Sequence, residues 1–110
     1  MTTEVVQYEV VDRAAIIRLN RPEVGNALNP ELIEALGAAL SEAEHEPTAR
    51  SVVITGVGPT FCAGGDLRAL GPIDSYDVRM RRSRRMLQTN AVFRQIEALP
   101  KPVIDFSIIQ

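Results

Sequence analysis

Ser51-Val52-Val53-Ile54-Thr55 runs into Gly56-Val57-Gly58-Pro59 and then Thr60-Phe61-Cys62-Ala63-Gly64-Gly65-Asp66-Leu67. The first five residues are a short, uniformly apolar run, which suits a strand covered on both faces as in a parallel sheet. Gly56–Gly65 then forms a loop of small residues, and the chain turns helical after Asp66. Backbone N–H groups at a strand-to-helix junction have no helical partner and can point at a bound oxygen. Small residues at 63, 64 and 65 let a ligand reach the main chain, because no side chain shields it. By itself this loop leaves two readings open. It is either a glycine turn joining two elements or a set of backbone donors for a carbonyl oxygen that gains negative charge.

Nucleotide-binding motifs fail in the same stretch. Gly56-Val57-Gly58 begins like a dinucleotide fingerprint, but Phe61 stands where the third glycine belongs and Pro59 intervenes. The Gly-Lys-Ser/Thr of a phosphate loop is absent. Cys62 has no base at a telling spacing, so it reads as a small buried thiol beside Phe61 rather than a nucleophile.

On the N-terminal side, residues 4–11 are rich in β-branched side chains and partly alternate, as in a half-buried strand. Asp12-Arg13 makes a tight turn into a second strand, Ala14–Asn20, its antiparallel partner. Pro22 stops that strand, and residues 21–29 form a loop. Asn29-Pro30 reads as a helix start, with Asn at the N-cap, Pro at the first helical position and Glu31 in the first turn. Leu32, Ile33, Leu36, Leu40 and Ala43 recur at three- and four-residue spacing and define one buried face. Pro47 ends this helix, and His45 near its C-terminus reads as a solvated residue.

On the C-terminal side, Gly71-Pro72 breaks the chain. A long helix follows from about Asp77 to Leu99, with Val92, Ile96 and Leu99 on one face. Pro100-Lys101-Pro102 stops it, and Val103-Ile104 begins another strand. The order β-β-α-β-α-β is a mixed α/β arrangement. Arg79, Arg81, Arg82, Arg84 and Arg85 wrap around the helix rather than forming a stripe. They read as a solvated segment, with contact to an anionic phosphate as the functional alternative.

Composition narrows the class. The 110 residues carry 12 basic and 14 acidic side chains, a net charge of −2, so the chain as a whole has no electrostatic draw toward nucleic acid. No apolar run approaches the roughly 20 residues that span a bilayer. One cysteine and one histidine exclude a disulfide within the chain and a multi-histidine metal site. Met1–Val6 lacks the basic and apolar regions of a secretory leader, so a cytoplasmic location is expected.

Several segments match one known pattern together. In order they are Asn20-Arg21-Pro22-Glu23, Asn26-Ala27-Leu28, a helix, Val52-Val53-Ile54-Thr55-Gly56, Phe61-Cys62-Ala63-Gly64-Gly65-Asp66-Leu67 and Lys101-Pro102-Val103-Ile104. Over about residues 4–104 the chain resembles the enoyl-CoA hydratase/isomerase (crotonase) family. The resemblance implies a spiral of ββα units, of which this chain holds the N-terminal portion, and assembly into trimers or hexamers. It also implies action on acyl-CoA thioesters, with coenzyme A entering as part of the substrate and no separate cofactor or metal. One of two oxyanion-stabilising backbone N–H groups would come from Ala63 or Gly65. The coenzyme would lie against Arg21, Asn26, Ala27 and Leu28 and against Ala63, Gly64, Gly65, Asp66 and Leu67.

Two departures from the family pattern matter. The position before Asn26 is often basic in the family and meets a coenzyme phosphate; here it is Gly25, and Arg21 is the nearby substitute. Residues 105–110, Asp105-Phe106-Ser107-Ile108-Ile109-Gln110, replace the small residues, Asn-Gly and triple-glycine helix start that supply the second oxyanion N–H and lead to the catalytic glutamates. Asp105 matches none of those acids. The expectation is a truncated or frameshifted part of a single domain, weakly active or inactive alone. Hydration of a 2-enoyl-CoA is the commonest family reaction; isomerisation, dehalogenation, decarboxylation and ring closure share the loop. The other readings are a non-catalytic acyl-CoA-binding or subunit-interaction module, and an unrelated small α/β interaction domain.

Overall fold

A computed structural model of the chain describes residues 4–58 and 76–105. The elements are β1 (Val6–Val11), β2 (Ala14–Leu19), a 3-10 turn (Pro22–Val24), α1 (Pro30–His45), β3 (Ser51–Gly56), α2 (Tyr76–Ala98) and β4 (Val103–Asp105). They form one four-stranded sheet in the order β1-β2-β3-β4. β1 and β2 are antiparallel, whereas β2–β3 and β3–β4 are parallel. The predicted order holds, with ends shifted by a residue or two. The 3-10 turn is new, folded inside the segment expected to be a plain loop.

The hairpin between β1 and β2 turns on two residues with positive φ, Asp12 at 50° and Arg13 at 68°. Two left-handed residues give the connection the twist that adjoining strands require. The Arg13 carbonyl also accepts from Arg50 N–H at 2.7 Å, which ties the hairpin tip to the start of β3.

α1 begins as its sequence predicts. Asn29 Oδ1 accepts from Leu32 N–H at 2.8 Å, with Pro30 at the first position and Glu31 in the first turn. Its inner face buries Leu32, Ile33, Leu36, Leu40 and Ala43, joined by Ala35 and Ala39. These pack on Val6, Ala15, Ile17, Leu19, Val52 and Ile54 of the sheet. α2 lies on α1 and adds Val92, with Ile96 and Leu99 partly buried against the same core.

Among the described residues, β3 is covered on one face. Val52 and Ile54 are buried, while Ser51 and Val53 are half-buried and Ile104, the partner of Val53, is 46% exposed. Among the described residues the helical layer packs on one face only.

The C-terminus of α1 has a cap that spacing does not reveal. Lys101 Nζ donates to the carbonyls of Ala43 and Glu46, both at 2.8 Å. Those oxygens lie at the negative end of the helix, where a cation is favoured. Lys101→Met keeps the apolar stem and removes both hydrogen bonds. It should cost about 1–3 kcal/mol, read as a lower urea midpoint at unchanged slope. His45 is solvated, as expected, with its side chain 74% exposed.

Candidate functional site

The described part of the site is the 21–28 segment and the end of β3. The Asn20 and Arg21 positions leave β2, and Pro22–Val24 wind into a single 3-10 turn. Gly25 (φ 62°) and Asn26 (φ 57°) follow, both left-handed. Left-handed backbone favours glycine, then asparagine, so the missing basic side chain at 25 coincides with a conformation that glycine adopts at least cost. Arg21 closes the loop on itself. Its carbonyl accepts from Val24 N–H at 3.1 Å and from Asn26 N–H at 2.7 Å, and its Nη1 donates to the Ala27 carbonyl.

Asn26 is the buried polar residue here, with no exposed surface. Its Oδ1 accepts from Arg21 N–H at 2.7 Å and its Nδ2 donates to the Val57 carbonyl at 3.0 Å. The amide therefore faces inward and shapes the loop. Ala27 is also buried. Arg21 is half-buried, as is Leu28, which rests on the edge of the core. Of the four expected coenzyme contacts in this segment, Asn26 and Ala27 can act on a ligand only through main chain and loop shape. Arg21 and Leu28 retain side-chain surface.

Across from this loop, Val57 N–H donates to the Leu19 carbonyl at 2.8 Å. Gly58 (φ 90°) sits so close to the 3-10 turn that an added Cβ would lie 3.1 Å from Pro22 Cβ. The 21–28 loop and the exit of β3 are thus in contact at the point from which the chain runs on to the small-residue segment. Ala63, Gly64, Gly65, Asp66 and Leu67, with Cys62, lie outside the described residues. So do residues 106–110 and the side chains of Arg79, Arg81, Arg82, Arg84 and Arg85.

Tyr8 faces the other end of α1. Burial, and then the carboxylates of Glu42 and Glu46, push its phenol above the usual value. It therefore stays neutral through physiological pH. Among the described residues there is no group of three or more His, Cys, Asp or Glu placed to hold a metal ion. No helix among them is long and apolar enough to cross a membrane.

Comparison with known proteins agrees with this arrangement. The family model for enoyl-CoA hydratase/isomerase matches residues 10–106. A probable enoyl-CoA hydratase of Rhodobacter capsulatus is 46% identical over 67 residues, covering 61% of this chain and 25% of that protein. The short-chain-enoyl-CoA hydratase of Clostridium acetobutylicum is 31% identical over 100 residues, covering 90% of this chain and 37% of its own length. The crystal structure of an enoyl-CoA hydratase from Mycobacterium smegmatis superposes with a TM-score of 0.83 at 30% identity, over 94% of this chain and 39% of that one. The chain thus spans between 25% and 39% of the length of these relatives.

Proposed function

Since the chain belongs to the enoyl-CoA hydratase/isomerase family and has the N-terminal part of the crotonase fold, we propose that it binds acyl-CoA thioesters and contributes one half of an oxyanion site. In this reading the nucleotide and pantetheine of the coenzyme lie along residues 21–28, with Arg21 offering a nearby cationic donor. A backbone N–H of Ala63 or Gly65 hydrogen-bonds the thioester oxygen and stabilises the enolate that forms when a nucleophile adds to, or a base acts on, the acyl group. Hydration of a 2-enoyl-CoA is the reaction proposed for the complete site. Trimeric or hexameric assembly is proposed with it, as a property of the family, and a cytoplasmic location is proposed alongside.

The observation that carries this reading is the contact of the 21–28 loop, assigned to the coenzyme, with Val57 and Gly58, from which the chain runs on toward the segment assigned to the oxyanion. Asn26 joins the 21–28 loop to Val57, and Gly58 abuts Pro22. A ligand held by the loop therefore lies beside the chain that leads to Ala63–Asp66.

A second reading is a non-catalytic acyl-CoA-binding or subunit-interaction module. Calorimetric titration with crotonyl-CoA, followed by analysis of the thioester after incubation, tests both. Saturable binding supports the shared acyl-CoA reading; binding without hydration favours the module, binding with hydration the enzyme. A flat titration contradicts both.

A further inference from the structure

We propose that Asn26 is a positioning residue that locks the 21–28 loop onto the exit of β3, so that a coenzyme on the loop and the chain leaving Gly58 keep one fixed separation. The ligand consequence rests on the acyl-CoA reading above; the lock is a property of the free chain.

Three features of Asn26 point to this role. It is a fully buried polar side chain, which is costly unless both ends of its amide are satisfied. Both are satisfied, and by partners that fix the amide's orientation: a backbone N–H (Arg21) requires the oxygen and a backbone carbonyl (Val57) requires the nitrogen. Its backbone is left-handed at φ 57°, where glycine would be less strained. What asparagine has and glycine lacks is the amide.

The amide spans 31 positions of sequence to reach Val57. That peptide is then held from two sides, its N–H by Leu19 of β2 and its carbonyl by Asn26. The next residue, Gly58, has no room for a side chain against Pro22. Neither bond touches a ligand, so Asn26 acts through the loop and the strand exit it joins. Among the described residues, the Gly58–Pro22 packing and separate attachments to the sheet are the other links between the two segments.

The test is amide hydrogen exchange on the 110-residue chain, with Asn26→Gly and Asn26→Asp. Asn26→Gly keeps the left-handed backbone without steric strain and deletes both side-chain bonds. Protection of Val57 N–H should fall about tenfold or more. Protection of Val52 N–H, which donates to the Pro102 carbonyl in the sheet interior, should hold. Asn26→Asp retains the acceptor for Arg21 but sets a carboxylate against the Val57 carbonyl. It should preserve Arg21 N–H protection and lose that of Val57, and it serves by itself should the glycine variant fail to fold. Equal loss at Val52 and Val57 would mean a general contribution to stability and would overturn the proposal, as would undiminished protection at Val57. A parallel titration with coenzyme A separates the two readings. If the wild-type chain takes up no coenzyme while Val57 still loses protection selectively, the acyl-CoA reading fails and the lock stands. If the chain binds coenzyme and Asn26→Gly weakens it about tenfold, both stand.

Discussion

Leu40→Ala should destabilise the chain by about 2–5 kcal/mol, whereas Leu87→Ala should change its stability by less than about 0.5 kcal/mol. Leu40 has no exposed surface and sits where α1 meets the sheet; Leu87 on α2 is 70% exposed. Truncating Leu40 removes buried methyl groups and leaves a cavity that its fixed neighbours fill only in part. A domain of this size has on the order of 5–15 kcal/mol of stability in total, so the first change takes away a large share. Urea unfolding of the two variants beside the parent measures the difference. Equal midpoints for the two would contradict the single α1–sheet core described above.

Residues 1–110 alone should hydrate crotonyl-CoA at least about 10²-fold more slowly than a full-length relative. The family resemblance assigns the second oxyanion donor and the catalytic glutamates to segments beyond those matching Lys101–Ile104, and the chain spans 25% to 39% of its relatives' lengths. One absent oxyanion donor costs on the order of 10²–10³ in kcat, and absent acid–base groups roughly 10²–10⁴ more, although such losses do not simply multiply. The comparison is of kcat at saturating substrate for this polypeptide and for the Clostridium acetobutylicum relative. A ratio within tenfold would mean that a group inside residues 1–110 performs the chemistry assigned elsewhere.

Much of the fold was legible because several positions state their structural role locally. Asn29-Pro30 announces a helix start, and the 3.6-residue recurrence from Leu32 to Ala43 announces its buried face. Other features depend on residues far apart in sequence and carry no periodic signal. Lys101 caps a helix that ended more than fifty positions earlier. The apolar character of Val53 suggested burial on both sides, yet a strand's own residues do not reveal whether a second layer covers it.

The site was legible in its parts and less so in their roles. Asn20–Leu28 and Phe61–Leu67 stood out by residue type, and Asn26 as a coenzyme contact; that its amide bonds Arg21 N–H and the Val57 carbonyl had no sequence signal. Gly25 and Asn26 are residue types that suit the left-handed turn they form. What that turn grips is a strand exit 31 residues on, a fact of tertiary structure. Gly58 is similar: its need for a missing side chain arises from Pro22 across the contact.

The central claim is that this chain holds an acyl-CoA thioester against a backbone donor in the small-residue loop. Its most direct test is calorimetric binding of crotonyl-CoA to the parent and to Gly64→Val, with the circular dichroism spectrum and urea midpoint of each recorded alongside. The account predicts saturable binding by the parent and a loss of about tenfold or more in Gly64→Val, with the urea midpoint unchanged, since the proposed role needs a small residue at position 64. Equal affinity for the two proteins, or no binding by a folded parent, would contradict it.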